Sequence, residues 1–237
     1  MNYIPFSYRY SEEIIQHQRH GNAWAEIDEV IRNAPLFIFP NKSVRNRRLD
    51  AVQQLMNTYF DCVLTSRYGW EFHPLATRIA DSGLTADFRK SFGNLTIQAE
   101  IQFGNMARWY SDIFKFQTAY SQSLINAALS IIPAYSLASR IDSNIVNFER
   151  TIRELPSAVL SITLPILMIG LYVDENTTIV DVSQCQFNDF NEVKIQENRC
   201  KIVNGYLEGI DMAQIGPNSP IGINPYININ PTENEDN

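Results

Sequence analysis

The chain is poor in the features that identify several protein classes. Its three cysteines, Cys62, Cys185 and Cys200, are odd in number and form no C-x-x-C pair. This favours neither a disulfide framework nor a zinc ribbon, and it fits a reducing cytoplasm. The longest apolar run, residues 164–173, is about half of the roughly 20 residues that a membrane-spanning helix needs. No apolar core of signal-peptide length lies near the first residues. We therefore expect a cytoplasmic protein without a membrane partner.

Charged residues are also scarce, at 19%, and the net charge of -7 gives no overall basic excess. Because nucleic-acid-binding proteins are commonly basic, this balance argues against a surface that binds polyanions everywhere. The positive charges are clustered, however, since Lys42, Arg45, Arg47 and Arg48 lie in one short segment. Such a segment is more often an exposed loop than a clamp on DNA phosphates, and both interpretations stay open.

Hydrophobic residues are plentiful, at 45%, and 11% of the chain is aromatic. A chain of 237 residues with this composition can bury a substantial core. We expect a single domain over residues 1–215. Residues 216–237 are rich in proline and asparagine and acidic at their end, which predicts a loosely ordered tail or arm.

The spacing of the apolar residues predicts helices and strands that alternate along the chain. The predicted helices cover residues 11–32 with a break near Gly21, 48–66, 105–126 and 145–155. The predicted strands are a hairpin within residues 84–103 that turns at 89–93, then 127–133, 164–173 and an edge strand at 178–182. Residues 135–144, rich in serine, predict a polar loop. This order indicates an α/β protein with a central mixed β-sheet flanked by helices.

The most informative segment is residues 94–103, in which apolar and polar residues alternate strictly. Period-two alternation predicts a strand with one apolar and one polar face, so Glu100 and Gln102 lie side by side. Such a polar face is most often simply exposed to solvent. If the preceding strand carries Asp87, however, Asp87, Glu100 and the carbonyl of Ile101 offer the oxygen ligands that Mg²⁺ prefers. Gln102 could then orient a water for attack on a phosphodiester.

The segment AEIQFGNMARWYSDIFKF resembles the E-x-Q-F strand and following helix of the BglII and BstYI group of type II restriction endonucleases. This group belongs to the PD-(D/E)-x-K nuclease superfamily, with Gln in place of the final Lys. A thinner resemblance extends from Trp24 to Val173. It implies a restriction-endonuclease-like fold with Asp87 as first metal ligand, Glu100 as second and Gln102 in the place of the Lys. Glu71, beside Trp70, is the candidate for a second metal or a supporting role.

The resemblance also implies a function and a set of DNA contacts. The chain would be a homodimeric, Mg²⁺-dependent enzyme that makes a double-strand cut in a short palindromic site. A GATC-centred site, 5′-phosphate products and a cognate DNA methyltransferase in the same system, not as a subunit, follow from the same likeness. The predicted DNA contacts, besides the basic segment, lie after the E-x-Q strand and before the next helix: Asn105, Arg108, Ser136, Ser139, Arg140 and Asn144.

One departure from the group concerns Asp87, because twelve residues separate it from Glu100, a wider gap than expected. Either the hairpin turn at residues 89–93 is enlarged, or Asp81 is the first ligand instead. Two competing functions also stay open. One is a repair-type nuclease of the same superfamily, and the other is a DNA-binding module that has lost catalysis, which the missing Lys makes worth testing.

Overall fold

The structure is a computed structural model that describes residues 1–43 and 46–223. Arg45, one of the predicted DNA contacts, and residues 224–237 of the predicted tail lie outside the described residues. The strands are β1 Asn2–Tyr8, β2 Leu36–Ile38, β3 Glu71–Phe72, β4 Phe88–Phe92, β5 Leu95–Ile101, β6 Ala127–Pro133, β7 Ile166–Tyr172 and β8 Ile179–Asp181. The α-helices are α1 Ser11–Ile15, α2 Ala23–Arg32, α3 Gln53–Cys62, α4 Met106–Ser121, α5 Tyr135–Ile141, α6 Phe148–Glu154, α7 Phe190–Val193 and α8 Gln196–Leu207.

Six strands form the main sheet, in the order β1-β7-β6-β5-β4-β3. Strands β5, β6 and β7 run parallel, whereas β1, β4 and β3 join antiparallel at the two sides. The parallel pairs follow from the helices between them, because α4 links β5 to β6, and α5 and α6 link β6 to β7. The predicted α/β fold, a central mixed sheet flanked by helices, is confirmed.

Each face of the sheet carries its own hydrophobic core. On one side Ile97, Leu129 and Leu167 pack with residues of α2, α3 and α8. On the other side Ile132 and Met168 pack with Trp109 and Phe116 of α4 and with residues of α6. The strands β6 and β7 are buried almost throughout, so they read as continuous apolar runs, as strands covered on both faces do.

Three predicted boundaries are wrong. Residues 89–93 are not a turn, because residues 88–92 form strand β4, which pairs directly with β5. The polar loop predicted at residues 135–144 contains helix α5, whose buried Leu137, Ala138 and Ile141 supply an apolar face that its serines obscure. The helix predicted from residue 48 begins at Gln53 and continues beyond Cys62 into a π-helical turn, Val63–Arg67.

Sequence reasoning missed five elements: β1, β2, β3, α7 and α8. Strand β1 lies at the edge of the sheet and pairs with β7 only, which lets it accommodate Pro5 and its irregular pattern. Helix α8 packs against α3 with Asn198 and Lys201 among its buried residues, so its polar side chains mask its apolar face. The predicted edge strand is confirmed as β8, which pairs in parallel with β2 in a separate two-stranded sheet. Within the described ranges, we find no helix with the length and apolar character needed to span a bilayer.

Candidate active site

The polar face of β5 is covered by helix α4 and is not exposed to solvent. Gln98 and Glu100 are 0% and 1% exposed. The interpretation of this face as a solvated sheet surface is therefore wrong for these two residues. A buried carboxylate needs an ionic or hydrogen-bonding partner, and Lys115 of α4 supplies one to Glu100.

Asp87 lies beside Glu100 because of the strand register. It immediately precedes Phe88, which pairs with Ala99 on the antiparallel β5, so the next pair in that register is Asp87 and Glu100. Asp87 Oδ2 accepts a hydrogen bond from the amide of Ile101, with 2.9 Å between the two atoms. The carboxylate of Asp87 therefore lies against the E-x-Q segment, as the metal-site hypothesis requires.

The wide spacing between Asp87 and Glu100 consists of paired strand and not of an enlarged turn. Strands β4 and β5 pair from Phe88–Ala99 to Phe92–Leu95, and only Gly93 and Asn94 connect them. Gly93 has φ of 60°, a left-handed conformation that glycine adopts readily in tight hairpin turns. Asp81 lies in an exposed 3₁₀ turn, Ala80–Ser82, so Asp87 and not Asp81 adjoins the strand that carries Glu100.

The side-chain amide of Gln102 is held at both ends. Its Nε2 donates to Asp112 Oδ2 at 2.9 Å, and its Oε1 accepts from the amide of Gly104 at 2.7 Å. A carboxylate accepts and a backbone amide donates, so the two partners fix which way the Gln102 amide points. These bonds leave one lone pair of Oε1 and one hydrogen of Nε2, and a water could use either.

The polar side chains on this face form one continuous network from β4 to α4. Arg89 donates to Gln98 Oε1 at 3.1 Å, and Gln98 Nε2 donates to Glu100 Oε1 at 3.4 Å. Lys115 Nζ then bridges two carboxylates, at 2.6 Å from Glu100 Oε2 and 2.9 Å from Asp112 Oδ1. Because Asp112 also accepts from Gln102, every polar residue of the E-x-Q segment is connected to α4.

Burial and mutual repulsion control the charges in this network. Burial, with the charges of Asp87 and Asp112, raises the pKa of Glu100 well above its ordinary value, and Lys115 opposes that rise. Burial likewise raises the pKa of Asp112. Burial alone would lower the pKa of Lys115, but the charges of Glu100 and Asp112 outweigh it and raise that pKa. When all three carboxylates are ionised, one ammonium leaves negative charge uncompensated, which favours binding of a cation.

A cavity of about 210 Å³ opens beside Asp87, and it is lined mainly by polar groups from several elements. Asp87, Ile101, Gln102 and Arg108 line it together with Asn57, Asp61, His73 and Phe88. Burial, together with the charge of Asp87, raises the pKa of Asp61 to about 7, and burial lowers the pKa of His73. Sequence reasoning missed Asp61, although a charged residue between the apolar Phe60 and Cys62 of a buried helix is a signal that could have indicated it.

The donors around this cavity fit a hard divalent cation. Carboxylate oxygens of Asp87 and Asp61 and the side chain of Asn57 face it, and the buried Asn57 Oδ1 has no hydrogen-bond partner within the described part of the chain. Within the same residues no three His, Cys, Asp or Glu side chains are close enough to form a metal site by themselves. A metal here would therefore need backbone or water oxygens as well, which is how Mg²⁺ is ordinarily held.

Glu71, the predicted second-metal candidate, lies elsewhere. It is an exposed residue of β3 that pairs across the strands with Arg89, and it does not line the cavity beside Asp87. The acidic residue that the tertiary structure brings to this cavity is Asp61 of α3.

The predicted DNA contacts fall into two groups. Asn105 caps α4 by accepting from the amide of Arg108, and the exposed Arg108 borders the cavity of Asp87. Ser136, Ser139 and Arg140 belong to α5, and Asn144 follows it. Because β5 and β6 are parallel, α5 begins at the same edge of the sheet at which the E-x-Q segment ends. The hydrogen bond from Val146 N to Gly104 O, 2.8 Å long, ties the two regions together.

Two of the predicted cationic contacts have partners within the chain. Arg140 forms a bidentate ion pair with Asp50, at 2.8 and 2.6 Å. Lys42 Nζ donates to the carbonyls of Ala51 and Ile141, so Lys42 itself is tied to the last residue of α5. Arg47 is exposed. A groove of about 530 Å³ lies between the segment and α5, lined by Asn46, Arg48, Tyr135, Ser139, Ser143 and neighbouring residues.

Comparisons with known proteins agree with this geometry. Residues 3–171 match the model of the family described as restriction endonuclease BglII/BglIII. The crystal structure of restriction endonuclease BglII complexed with a DNA 16-mer superposes with a TM-score of 0.61 at 19% identity, over 73% of this chain and 78% of that one. Free BglII gives a TM-score of 0.52 at 20% identity, over 73% and 81%. No curated protein sequence matches the chain.

Proposed function

Since the chain belongs to the BglII/BglIII family of restriction endonucleases, we propose that it makes a Mg²⁺-dependent double-strand cut in a short palindromic DNA site. The observation that carries this proposal is the position of Asp87, whose carboxylate contacts the Ile101 amide between Glu100 and Gln102. An acidic residue from one strand thereby lies against an E-x-Q segment on the next. The family generally uses a divalent metal ion, and Mg²⁺ is the ion that we propose here.

The residues that would hold the ion are Asp87 and the carbonyl of Ile101, which line the cavity, with Asp61 as a further candidate there. Glu100, the other proposed ligand, is 1% exposed and lies behind this lining, where Lys115 and Gln98 contact its two oxygens. When bound, such an ion lowers the pKa of a coordinated water and neutralises charge on the scissile phosphate. Gln102 would orient water through the free lone pair of its fixed amide. Arg108, at the mouth of the cavity, is suited to contact a phosphate. Such a reaction leaves a 5′-phosphate and a 3′-hydroxyl.

DNA readout is proposed for the groove between residues 46–49 and α5. Ser139 and Arg48 line it, Ser136 is exposed on the same helix, and Asn144 follows in an exposed position. Serine, asparagine and arginine side chains can all bond base edges or phosphates. A GATC-centred site is the expectation from the family resemblance, and mapped cleavage ends would test it directly.

We further propose that the enzyme acts as a homodimer, since two-fold symmetry matches a palindromic site. The supporting feature is an apolar surface on α4 and the turn after α6. Phe114 is 63% exposed, Leu160 is 92% exposed, and Tyr110 and Val159 are also exposed. Tyr110 and Phe114 are four residues apart on α4, so they share one face of that helix. An exposed apolar surface of this kind is typical of a protein interface.

The test is digestion of phage DNA by the purified protein with Mg²⁺, followed by mapping of the ends. We expect discrete fragments with 5′-phosphates from one palindromic sequence. Cuts at many unrelated sequences would indicate a repair-type nuclease instead, and intact DNA with every divalent metal would indicate a module without catalysis. A gene for a methyltransferase that modifies the same site, next to the gene for this chain, would be independent support.

Glu100→Gln tests the chemistry with almost no change of shape. We expect cleavage to fall by a factor of about 10² or more, the range typical of a preorganised charged group, while DNA binding in Ca²⁺ persists. Glu208→Gln, a change of the same kind at an exposed position after α8, should cut like the parent. A Glu100→Gln variant that cuts at the parent rate would remove Glu100 from the mechanism.

A further inference from the structure

The cation that directly contacts Glu100 and Asp112 comes from the helix that follows the E-x-Q strand. Lys115 of α4 reaches Glu100 Oε2 at 2.6 Å and Asp112 Oδ1 at 2.9 Å. The side chains of Lys115, Glu100 and Asp112 are 13%, 1% and 5% exposed. A long, flexible side chain loses much rotamer freedom when it is buried in this way, so the contact is a specific feature of the packing.

The position of Lys115 complements what Gln102 lacks. In the superfamily that the E-x-Q pattern resembles, a Lys stands at the Gln102 position, and the amide of Gln102 carries no charge. Here Lys115 and Gln102 bond to the two different oxygens of the same carboxylate, Asp112. Asp112 therefore links the neutral Gln102 of the E-x-Q motif to the charged Lys115 of α4.

We propose that Lys115 is a positioning residue for the cleavage reaction, which supplies beside Glu100 the positive charge that Gln102 does not carry and holds Glu100 and Asp112 in place. This inference rests on the function proposed above. Lys115 holds Oε2 of Glu100, and Gln98 donates a hydrogen bond to Oε1 of the same carboxylate. Through Asp112 it also fixes Gln102, so the two polar residues of the motif keep one geometry, which catalysis by positioning requires.

Lys115 can position Glu100 and still allow a divalent cation to bind, because it neutralises only part of the negative charge of the cluster. Lys115 offsets one of the negative charges of Glu100, Asp112 and Asp87. The remaining charge still attracts a divalent cation, while the ammonium repels it. Removing Lys115 should therefore weaken the positioning of Glu100 without weakening the attraction of the cluster for a cation.

Lys115→Met is the first variant of the test, with three measurements: the cleavage rate at saturating Mg²⁺, the affinity for Ca²⁺ without DNA by calorimetry, and the melting temperature. We expect cleavage to fall about 10²-fold or more, and Ca²⁺ to bind at least as tightly as to the parent. Lys90→Met is the matched control. Lys90 Nζ lies 2.8 Å from Glu26 Oε2 in a partly buried ion pair outside the acidic network. The Lys90→Met variant should lower the melting temperature and leave cleavage within threefold.

The second variant moves the positive charge from position 115 to position 102. Gln102 Nε2 already lies 2.9 Å from Asp112 Oδ2, so a lysine at position 102 can reach the same carboxylate. We expect Gln102→Lys in the Lys115→Met background to recover cleavage at least tenfold over Lys115→Met alone. If Lys115→Met does not fold, Lys115→Met with Asp112→Asn keeps the net charge of the cluster and takes its place, with the same expected loss.

The outcomes separate this inference from the proposed function. A parent protein that leaves DNA intact with Mg²⁺ would overturn the proposed function. If the parent cuts, Lys115→Met cutting within threefold of it would overturn only the role of Lys115. Lys115→Met could also lower the Ca²⁺ affinity and the melting temperature together, with Gln102→Lys failing to restore cleavage. Lys115 would then be a structural ion pair only, and the inference would be overturned as well.

Discussion

Asp87 Oδ2 and the backbone amide of Ile101 are joined by a hydrogen bond of 2.9 Å across the edge of the sheet. The bond connects the residue before β4 to the last residue of β5 and fixes the Asp87 carboxylate beside the E-x-Q segment. Because the donor belongs to the backbone, this geometry does not depend on the side chain at position 101. It depends on the register of β4 and β5.

The choice between the two candidate first ligands can be made with Asp87→Asn and Asp81→Asn. Asparagine at position 87 can still accept from the Ile101 amide, so the fold should persist while the charge is lost. We expect cleavage to fall about 10²-fold to 10³-fold for Asp87→Asn and to stay within about threefold for the exposed Asp81→Asn. Rates of plasmid nicking, measured under the same conditions, distinguish the two candidate ligands. A larger loss of rate for Asp81→Asn than for Asp87→Asn would make Asp81 the ligand.

Gly104→Ala tests whether the fixed amide of Gln102 matters. A Cβ at Gly104 would lie 2.5 Å from Gln102 Oε1 and 3.0 Å from Arg108 Cδ, so the Gln102 side chain must move and give up its present bonds. Losing about one hydrogen bond that positions the Gln102 side chain predicts a roughly tenfold lower cleavage rate. Gly222→Ala, whose Cβ would meet nothing within 4 Å, is the control. Equal rates in both variants would show that the orientation of Gln102 is unimportant.

Asp61 makes stability depend on pH in a direction that can be tested without metal. Burial, with the charge of Asp87, raises its pKa from 3.8 to about 7 in the folded protein. The folded state therefore holds a proton between about pH 4 and 7 that the unfolded state releases, so the free energy of unfolding should fall as the pH rises through this window. The full effect is at most about 4 kcal/mol, and it is complete above pH 7.

Urea unfolding of the parent and of Asp61→Asn in EDTA measures this effect. The variant should lack this part of the pH dependence, so its stability relative to the parent should increase from pH 4 to pH 8. Parallel stability curves for the two proteins would mean that Asp61 is ionised in the fold as easily as in the unfolded chain.

The proposed dimer surface on α4 is tested by Phe114→Glu. A charge at this exposed apolar position would be desolvated in an interface, which should dissociate the dimer. Sedimentation velocity should give a dimer for the parent and a monomer for the variant. Ile79→Glu, a change at another exposed apolar residue, should stay dimeric. A parent that sediments as a monomer without DNA would contradict the homodimer.

Much of the fold was predictable because its signals are local. The alternation in β5, the continuous apolar run of β7 and the apolar stripe of α4 each reflect the burial of one element, and each was recognised. Prediction failed at β1, an edge strand with Pro5, and at α8, where buried polar residues break the pattern. It also failed at α5, because its serines are typical of loops although its buried residues follow helical spacing.

The candidate site divides in the same way. Glu100 and Gln102 were predicted from one strand, and Asp87 from its neighbour, since spacing along the chain relates them. Asp61, Asp112 and Lys115 escaped notice because they reach the site from helices α3 and α4, and no sequence spacing predicts how a helix packs on a sheet. Glu71 was chosen for its proximity in sequence to Trp70, and it lies on the exposed β3 instead.

The amino-acid sequence by itself determined the strand that carries the acidic motif, the family of the chain and the alternation of strands with helices. Periodicity is a property of neighbouring residues, so it can be read without coordinates. Only the tertiary structure decided that Lys115 lies between Glu100 and Asp112, that Asp61 faces Asp87, and that Asp81 and Glu71 lie apart. These relationships join residues of different elements, and they arise from the way α3 and α4 pack against opposite faces of the sheet.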